Sequence, residues 1–188
     1  MLNRYSMASL LGCAALATCG CAPDPIATAL AAPSAFASIP VVAETAGSAQ
    51  DDGNDVAFWI HPSEPAKSLV LVSAGTAGLE AFALDGTRAA QFTGGEFDYV
   101  DVSYGTGVGA DSGAIVIAYD RKQRGLWALS IDPATLAISA ASKTAFRTHG
   151  EVTGICTYRS AASGDQYVFA ATDGLLEQWK LYVAGGDV

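Results

Sequence analysis

The chain has 188 residues, 51% of them hydrophobic and only 15% charged. That composition excludes an intrinsically disordered chain, which needs low hydrophobicity and high charge. Ten basic residues against 19 acidic ones give a net charge of −9, and so acidic a surface repels a phosphate backbone, which excludes a nucleic-acid partner.

Met1 to Ala17 reads as an export leader. Arg4 supplies the positive start, and Met7 to Ala17 is apolar but shorter than the ~20 residues of a membrane span. Ala35-Phe36-Ala37 offers a small-x-small cleavage site. Leu16-Ala17-Thr18-Cys19 and Thr18-Cys19-Gly20-Cys21 both approach a bacterial lipobox. Two readings therefore stand for residues 1–21: a signal peptide, or a lipoprotein leader carrying a lipid anchor. Either one places the protein outside the cytoplasm, as a secreted, periplasmic or outer-membrane species. Residues 22–50 are rich in Ala, Pro, Ser and Thr and read as a linker. Cys13, Cys19 and Cys21 belong to the leader, so Cys156 stands alone in the body and no intrachain disulfide forms there. Its apolar run, Gly154 to Tyr158, predicts a buried, inert thiol.

From Asp51 the pattern changes to short apolar runs separated by Gly, Asp and Ser, the signature of strands and turns. The runs are Val56–Ile60, Leu69–Val72 and Leu79–Leu84, the last closed by Asp85-Gly86, a strong hairpin signal. The motif Gly78-Leu79-Glu80-Ala81-Phe82-Ala83-Leu84 then returns as Gly125-Leu126-Trp127-Ala128-Leu129-Ser130-Ile131. It returns again as Gly174-Leu175-Leu176-Glu177-Gln178-Trp179-Lys180-Leu181, with one extra residue. The spacings are 47 and 49 residues, within the ~40–50 of a propeller blade. Preceding strands recur at 115–119 and 167–171, and before them at 99–104 and 152–158. A fourth strand is expected at 88–93 and at 138–146, with none in the third unit. The predicted fold is all-β: a partial β-propeller of about three four-stranded antiparallel blades, the last incomplete, over residues 51–188. A β-sandwich with coincidental spacing is the competing fold.

Asn54-Asp55-Val56-Ala57-Phe58-Trp59-Ile60-His61-Pro62 resembles the opening motif of the β-propeller phytases. Lys67-Ser68, Leu84-Asp85-Gly86, Val100-Asp101-Val102-Ser103-Tyr104, Asp120-Arg121, Gly154 with Tyr158, and Leu176-Glu177-Gln178-Trp179 continue the likeness. The resemblance runs from about Asp51 to the end. It implies a six-bladed parent fold and calcium-dependent hydrolysis of phytate, the hexakisphosphate of myo-inositol. An acidic protein can hold a polyanion through calcium, which takes 6–8 oxygen ligands, polarises the phosphoryl group and activates water. No covalent nucleophile is evident.

The resemblance points to Asp52, Asn54, Asp55 and Asp101 as metal residues, and to Arg121, Glu151 and Glu177 as substrate-binding residues. Each has a plainer reading. Asp and Asn cap turns at strand entries; Asp101, Glu151 and Glu177 are ordinary solvated strand positions; Arg121 with Lys122 and Arg124 makes a soluble hairpin loop. His61 lacks a metal-spaced partner, His149 stands alone in a loop, and Gly105-x-Gly107-x-Gly109 is a blade connection. The chain also departs from the family's pattern. Asn54-Asp55 replaces paired carboxylates, Val56 a proline, Ala74-Gly75-Thr76-Ala77 a lysine-bearing stretch, Asp98-Tyr99 two asparagines, Ser103 an arginine, and Leu129 a tyrosine. Two functions follow. One is a calcium-dependent phosphomonoester hydrolase acting on phytate or a related phosphorylated small molecule. The other is a non-catalytic propeller module that binds phosphorylated ligand or assists a tandem or downstream propeller half.

Overall fold

Twelve strands and one short 3-10 turn, Pro65–Lys67, account for the regular structure among the described residues of a computed structural model. It describes residues 40–41, 43–48, 53–106 and 113–182. The leader with its three cysteines and cleavage site, most of the linker, Asp51, Asp52, Gly107 and Gly109 lie outside the described residues. No helix among the described residues is long and apolar enough to cross a membrane.

The strands fall into three antiparallel sheets. The first holds β1 (Asp55–Trp59), β2 (Leu69–Ser73), β3 (Leu79–Ala83) and β4 (Arg88–Phe92) in chain order. The second holds β5 (Phe97–Tyr104), β6 (Ala114–Asp120), β7 (Gly125–Ile131) and β8 (Ile138–Ala140), with β9 (Phe146–Arg147) also paired to β7. The third holds β10 (Val152–Arg159), β11 (Gln166–Thr172) and β12 (Leu175–Lys180). These are the blades of a partial propeller, at the positions where the repeat predicts them.

Burial follows from the stacking. β6 is buried at every position because both of its faces are covered. Ala114, Val116 and Ala118 share one core with Ala57, Trp59, Leu69, Leu71, Leu79 and Ala81 of the first blade. Ile115, Ile117 and Tyr119 share a second with Val152, Val168 and Ala170 of the third. Each Leu, Ile or Val among them contributes roughly 1.5–3 kcal/mol when fully buried. β11 is fully buried only at alternate positions, since one of its faces meets the second blade and the other is only partly covered. On β1 the alternation leaves Val56 and Phe58 exposed, and Ile60, just after the strand, is exposed too.

The repeated Gly-Leu has a steric origin. Gly78 has φ +86°, and a Cβ there would lie 2.1 Å from the Phe92 carbonyl oxygen. At Gly125 a Cβ would lie 2.9 Å from the Phe146 carbonyl oxygen. In the first two blades the third strand enters so close to the fourth that only glycine fits; Gly174 has no neighbour within 4 Å of its Cβ position and a left-handed φ of +80° instead. Leu79 and Leu126 follow directly and are buried. In the third blade the extra residue puts Leu176, paired with Ala171 and through it Gly154, on the equivalent face. A register shift between Val152 and Gly154 keeps the inner strand in phase.

Two expectations need correction. The fourth strand of the second blade does not run unbroken over 138–146. It divides into β8 and β9 because the amides of Ala141 and Ser142 both donate to the Ala128 carbonyl, at 2.8 and 3.1 Å. The buried Ser142 hydroxyl accepts the Ala128 N–H at 3.2 Å, so a side chain replaces the strand ladder there. Cys156 is exposed, not buried. It pairs with Phe169, on the face of β10 turned away from the second blade.

Candidate functional site

The first strands of the three blades, β1, β5 and β10, lie side by side, and polar residues link them. Asp55 opens β1. Its Oδ1 accepts the Val56 N–H at 2.9 Å, and its Oδ2 accepts the Val100 N–H of β5 at 3.1 Å. Asp101 acts likewise one blade on. Its Oδ1 accepts the Val102 N–H at 2.8 Å, and its Oδ2 accepts the N–H and hydroxyl of Thr157 on β10, at 2.6 and 3.0 Å. These carboxylates satisfy strand donors that a neighbouring blade cannot reach with its own carbonyls. A deeper link joins the second and third blades: the Ser103 hydroxyl donates to Gln166 Oε1, and Gln166 Nε2 donates to the Tyr104 carbonyl at 2.6 Å.

At the entry of β5 the polar groups converge. The Asn54 amide donates to Asp98 Oδ1 at 3.2 Å, and Arg121 Nη1 lies 3.5 Å from the same oxygen. Arg121 Nε lies 3.6 Å from Glu96, and its backbone N–H donates to the Glu96 carbonyl at 3.0 Å. Lys122 Nζ holds the other Glu96 oxygen at 3.0 Å. The Ser73 hydroxyl donates to the Asp98 carbonyl at 2.9 Å. Gly75 turns the chain here with a left-handed φ of +51°, and the Asn54 and Arg121 side chains lie 3.8 Å from where its Cβ would be, at ordinary contact distance. The backbones of Gly75 and Phe97 exchange two hydrogen bonds, at 2.9 and 3.1 Å, pinning the two blades together at this point.

The electrostatics of the cluster centre on Asp98. Burial raises its carboxyl above the ordinary 3.8; Arg121 opposes this, and Glu151, Glu96 and Asp120 add to it by repulsion. Glu96, more exposed, is held below its ordinary 4.5, first by Lys122 and also by Arg121. The cluster thus carries more carboxylates than cations. A phosphate reaching Arg121 would have to displace Asp98 and Glu96 from the guanidinium or arrive with a cation of its own.

The structure brings Asn54 and Arg121 together, with Glu151 near enough to act on Asp98. Asp55 reaches the group through Ser73, whose hydroxyl also lies 3.4 Å from the Asp55 carbonyl. Asp101 lies three residues beyond Asp98, ~10 Å further along the strand. Glu177 is elsewhere, accepting the His149 N–H at 2.8 Å and the Trp179 indole N–H at 3.2 Å. His149 is therefore not alone: its Nδ1 lies 3.4 Å from Glu177. His61 is structural, its Nδ1 accepting the Glu64 N–H at 3.0 Å and its Nε2 meeting the Pro133 carbonyl at 3.0 Å. Asp52 is outside the described residues. Asp98 and Glu96 are the members that sequence reasoning missed. Their signal was an acid on either side of Phe97, directly after the turn residues Gly94-Gly95.

These residues do not form a ready calcium cage. Among the described residues no three Asp, Glu, His or Cys side chains are grouped to hold a metal. Both Asp55 oxygens accept backbone N–H groups, and Asp98 Oδ1 serves Asn54 and Arg121.

Antiparallel blades stacked through apolar cores, with polar residues gathered where their first strands begin, define a propeller-type protein. The family model for Phytase matches residues 7–188, and the chain belongs to that family. A search of curated proteins found no significant match.

Proposed function

We propose that the chain is a phosphomonoester hydrolase of the phytase type, acting on phytate or a related phosphorylated small molecule with calcium as its cation. The observation that carries this reading is the match to the Phytase family over nearly the whole chain. The cluster at the β5 entry supports it. Arg121 is the half-exposed guanidinium placed to take a phosphate oxygen, by the bidentate, charge-assisted bonding that suits phosphate. Asn54 supplies a neutral donor beside it. Asp98 and Glu96 orient Arg121 and set the charge that a ligand has to overcome. With a net charge of −9, the protein needs added cations to hold a polyanion, and calcium is the hard, oxygen-seeking cation for that work. The described carboxylates do not assemble its cage, so no bond-breaking step is assigned to them.

A specific observation favours a second reading, a propeller module that binds phosphorylated ligand without turnover. Arg121 is already engaged with two carboxylates, and Ala74 to Ala77 offer no cation beside it. The two readings separate in one experiment. Phosphate release from phytate by the purified chain is measured with Ca²⁺ and with chelator. Turnover in Ca²⁺ that chelator abolishes supports the hydrolase. Turnover untouched by chelator removes calcium from the proposal. Phytate binding with no release in either condition establishes the binding module instead. An exported location, with or without a lipid anchor, belongs to the same proposal and rests on the leader pattern alone.

A further inference from the structure

We propose that the two outer faces of the blade stack are halves of one interface, and that a second copy of this chain joins them head to tail, third blade against first. Each blade has one face for the blade before it and one for the blade after it. On the face turned toward the following blade, Leu79 of the first blade and Leu126 of the second are buried. Leu176 is the equivalent residue of the third blade and is 69% exposed. Strand register sets it in an apolar sheet face, with Leu176 paired to Ala171, Phe169 to Cys156 and Tyr167 to Tyr158. The opposite kind of face is free on the first blade, on the side turned away from the second. There Val56 pairs with Val72 and Phe58 with Val70. Val100 and Val102 hold the same places in the second blade and are buried against the first, whereas Val56 and Phe58 are 61% and 60% exposed.

The repeat says what covers these faces. A face of the Leu126 kind packs against the following blade, and a face of the Val100 kind against the preceding one. The free face of the third blade therefore fits the free face of the first. Within one chain the two cannot meet, because the second blade stands between them. A second copy brings them together and continues the packing that already joins first blade to second and second to third. Charge does not oppose the contact. The chain carries a net charge of −9, yet the charged groups on these faces are paired, Lys180 with Asp165 at 2.9 Å and Glu80 with Arg88 at 3.1 Å. Removal of apolar surface from water drives the association. A head-to-tail contact of this kind closes into a ring or extends as a longer assembly, according to its rotation. It sets β1 of one copy beside β10 of the other, so that Asn54 and Asp55 of one approach Glu151 of its neighbour.

The test is analytical sedimentation of the whole chain over a range of concentrations. The samples are the wild type, Phe58→Glu, Leu176→Glu and an equal mixture of the two variants, with circular dichroism to verify folding. Expected is association of the wild type as its concentration rises. Each variant is expected to associate more weakly by about tenfold or more, because docking buries a carboxylate without a partner. The mixture is expected to regain association, since each variant keeps the face that the other has lost. Association left unchanged by either variant, or a mixture that regains none, overturns the head-to-tail contact. A wild type that stays monomeric overturns the second copy as the occupant; if Cys156 of that monomer resists alkylation, a segment of the same chain covers the face instead. Should a variant not fold, Val56→Glu or Tyr158→Glu replaces it on the same face.

Discussion

Asp98 gives the clearest pH signature at the scale of single residues. Its folded carboxyl titrates above the ordinary 3.8 because it is buried among other acids. The folded chain therefore holds that proton more tightly than the unfolded chain does. The resulting stabilisation is full below about pH 3.8 and is lost as the pH rises through the raised folded value. Asp98→Asn, which carries no charge at any pH, is expected to gain stability over the wild type as the pH climbs through that window and to match it in acid. Thermal midpoints across pH 3–7 check this; a difference that does not grow with pH contradicts it. Asp101 gives a second test. In Asp101→Ala the Thr157 N–H loses its acceptor between two blades, at an expected cost of about 1–3 kcal/mol, read as a lower denaturation midpoint in urea. Both roles show how far sequence reading carries. The acids at strand entries were legible as a group, because Asp and Asn at such places are either caps or ligands. Which one each would be was not, since the donors that engage Asp55 and Asp101 come from strands 45 and 56 residues away.

Blades were far more legible than sites, because a strand's period and its turn residues are local. The Gly-Leu repeat located every third strand, and the close approach at Gly78 explains why. Gly78→Ala is expected to destabilise the fold by about 2 kcal/mol or more, from the left-handed backbone and the contact with Phe92. Gly154 is the control: it has no neighbour within 4 Å of its Cβ position, and Gly154→Ala is expected to change stability by roughly 0.5 kcal/mol or less. Equal effects in urea denaturation would contradict this assignment of the two glycines. The interrupted β8 and β9 escaped the sequence because their break depends on the Ser142 hydroxyl standing in for a backbone acceptor. That contact spans 14 residues and leaves no periodic trace. Cys156 escaped for another reason. An apolar strand predicts burial on both faces, and only the stacking of blades shows that one face of β10 has no neighbour among the described residues.

The three blades form a stack with the second in the middle, and their stability should be graded accordingly. Hydrogen exchange is expected to be slowest on β6, covered on both faces, and fastest on β12, whose outer edge pairs with no described strand. Uniform protection across the three blades would contradict this stacking. Val56 and Phe58 of β1, and Ile60 just after it, are exposed in alternation on the first blade. Function also belongs to this scale, because the β5 entry cluster draws residues from two blades and feels Glu151 at the threshold of the third. The central claim is that this cluster handles phosphate in a phytase-type hydrolysis. The most direct measurement is phosphate release from phytate in Ca²⁺ by the wild type and by Arg121→Ala. Expected is turnover by the wild type and a loss of about tenfold to a hundredfold in kcat/KM for the variant, the worth of charge-assisted hydrogen bonds. Equal turnover by both proteins, or none by a wild type that binds phytate, would contradict the claim.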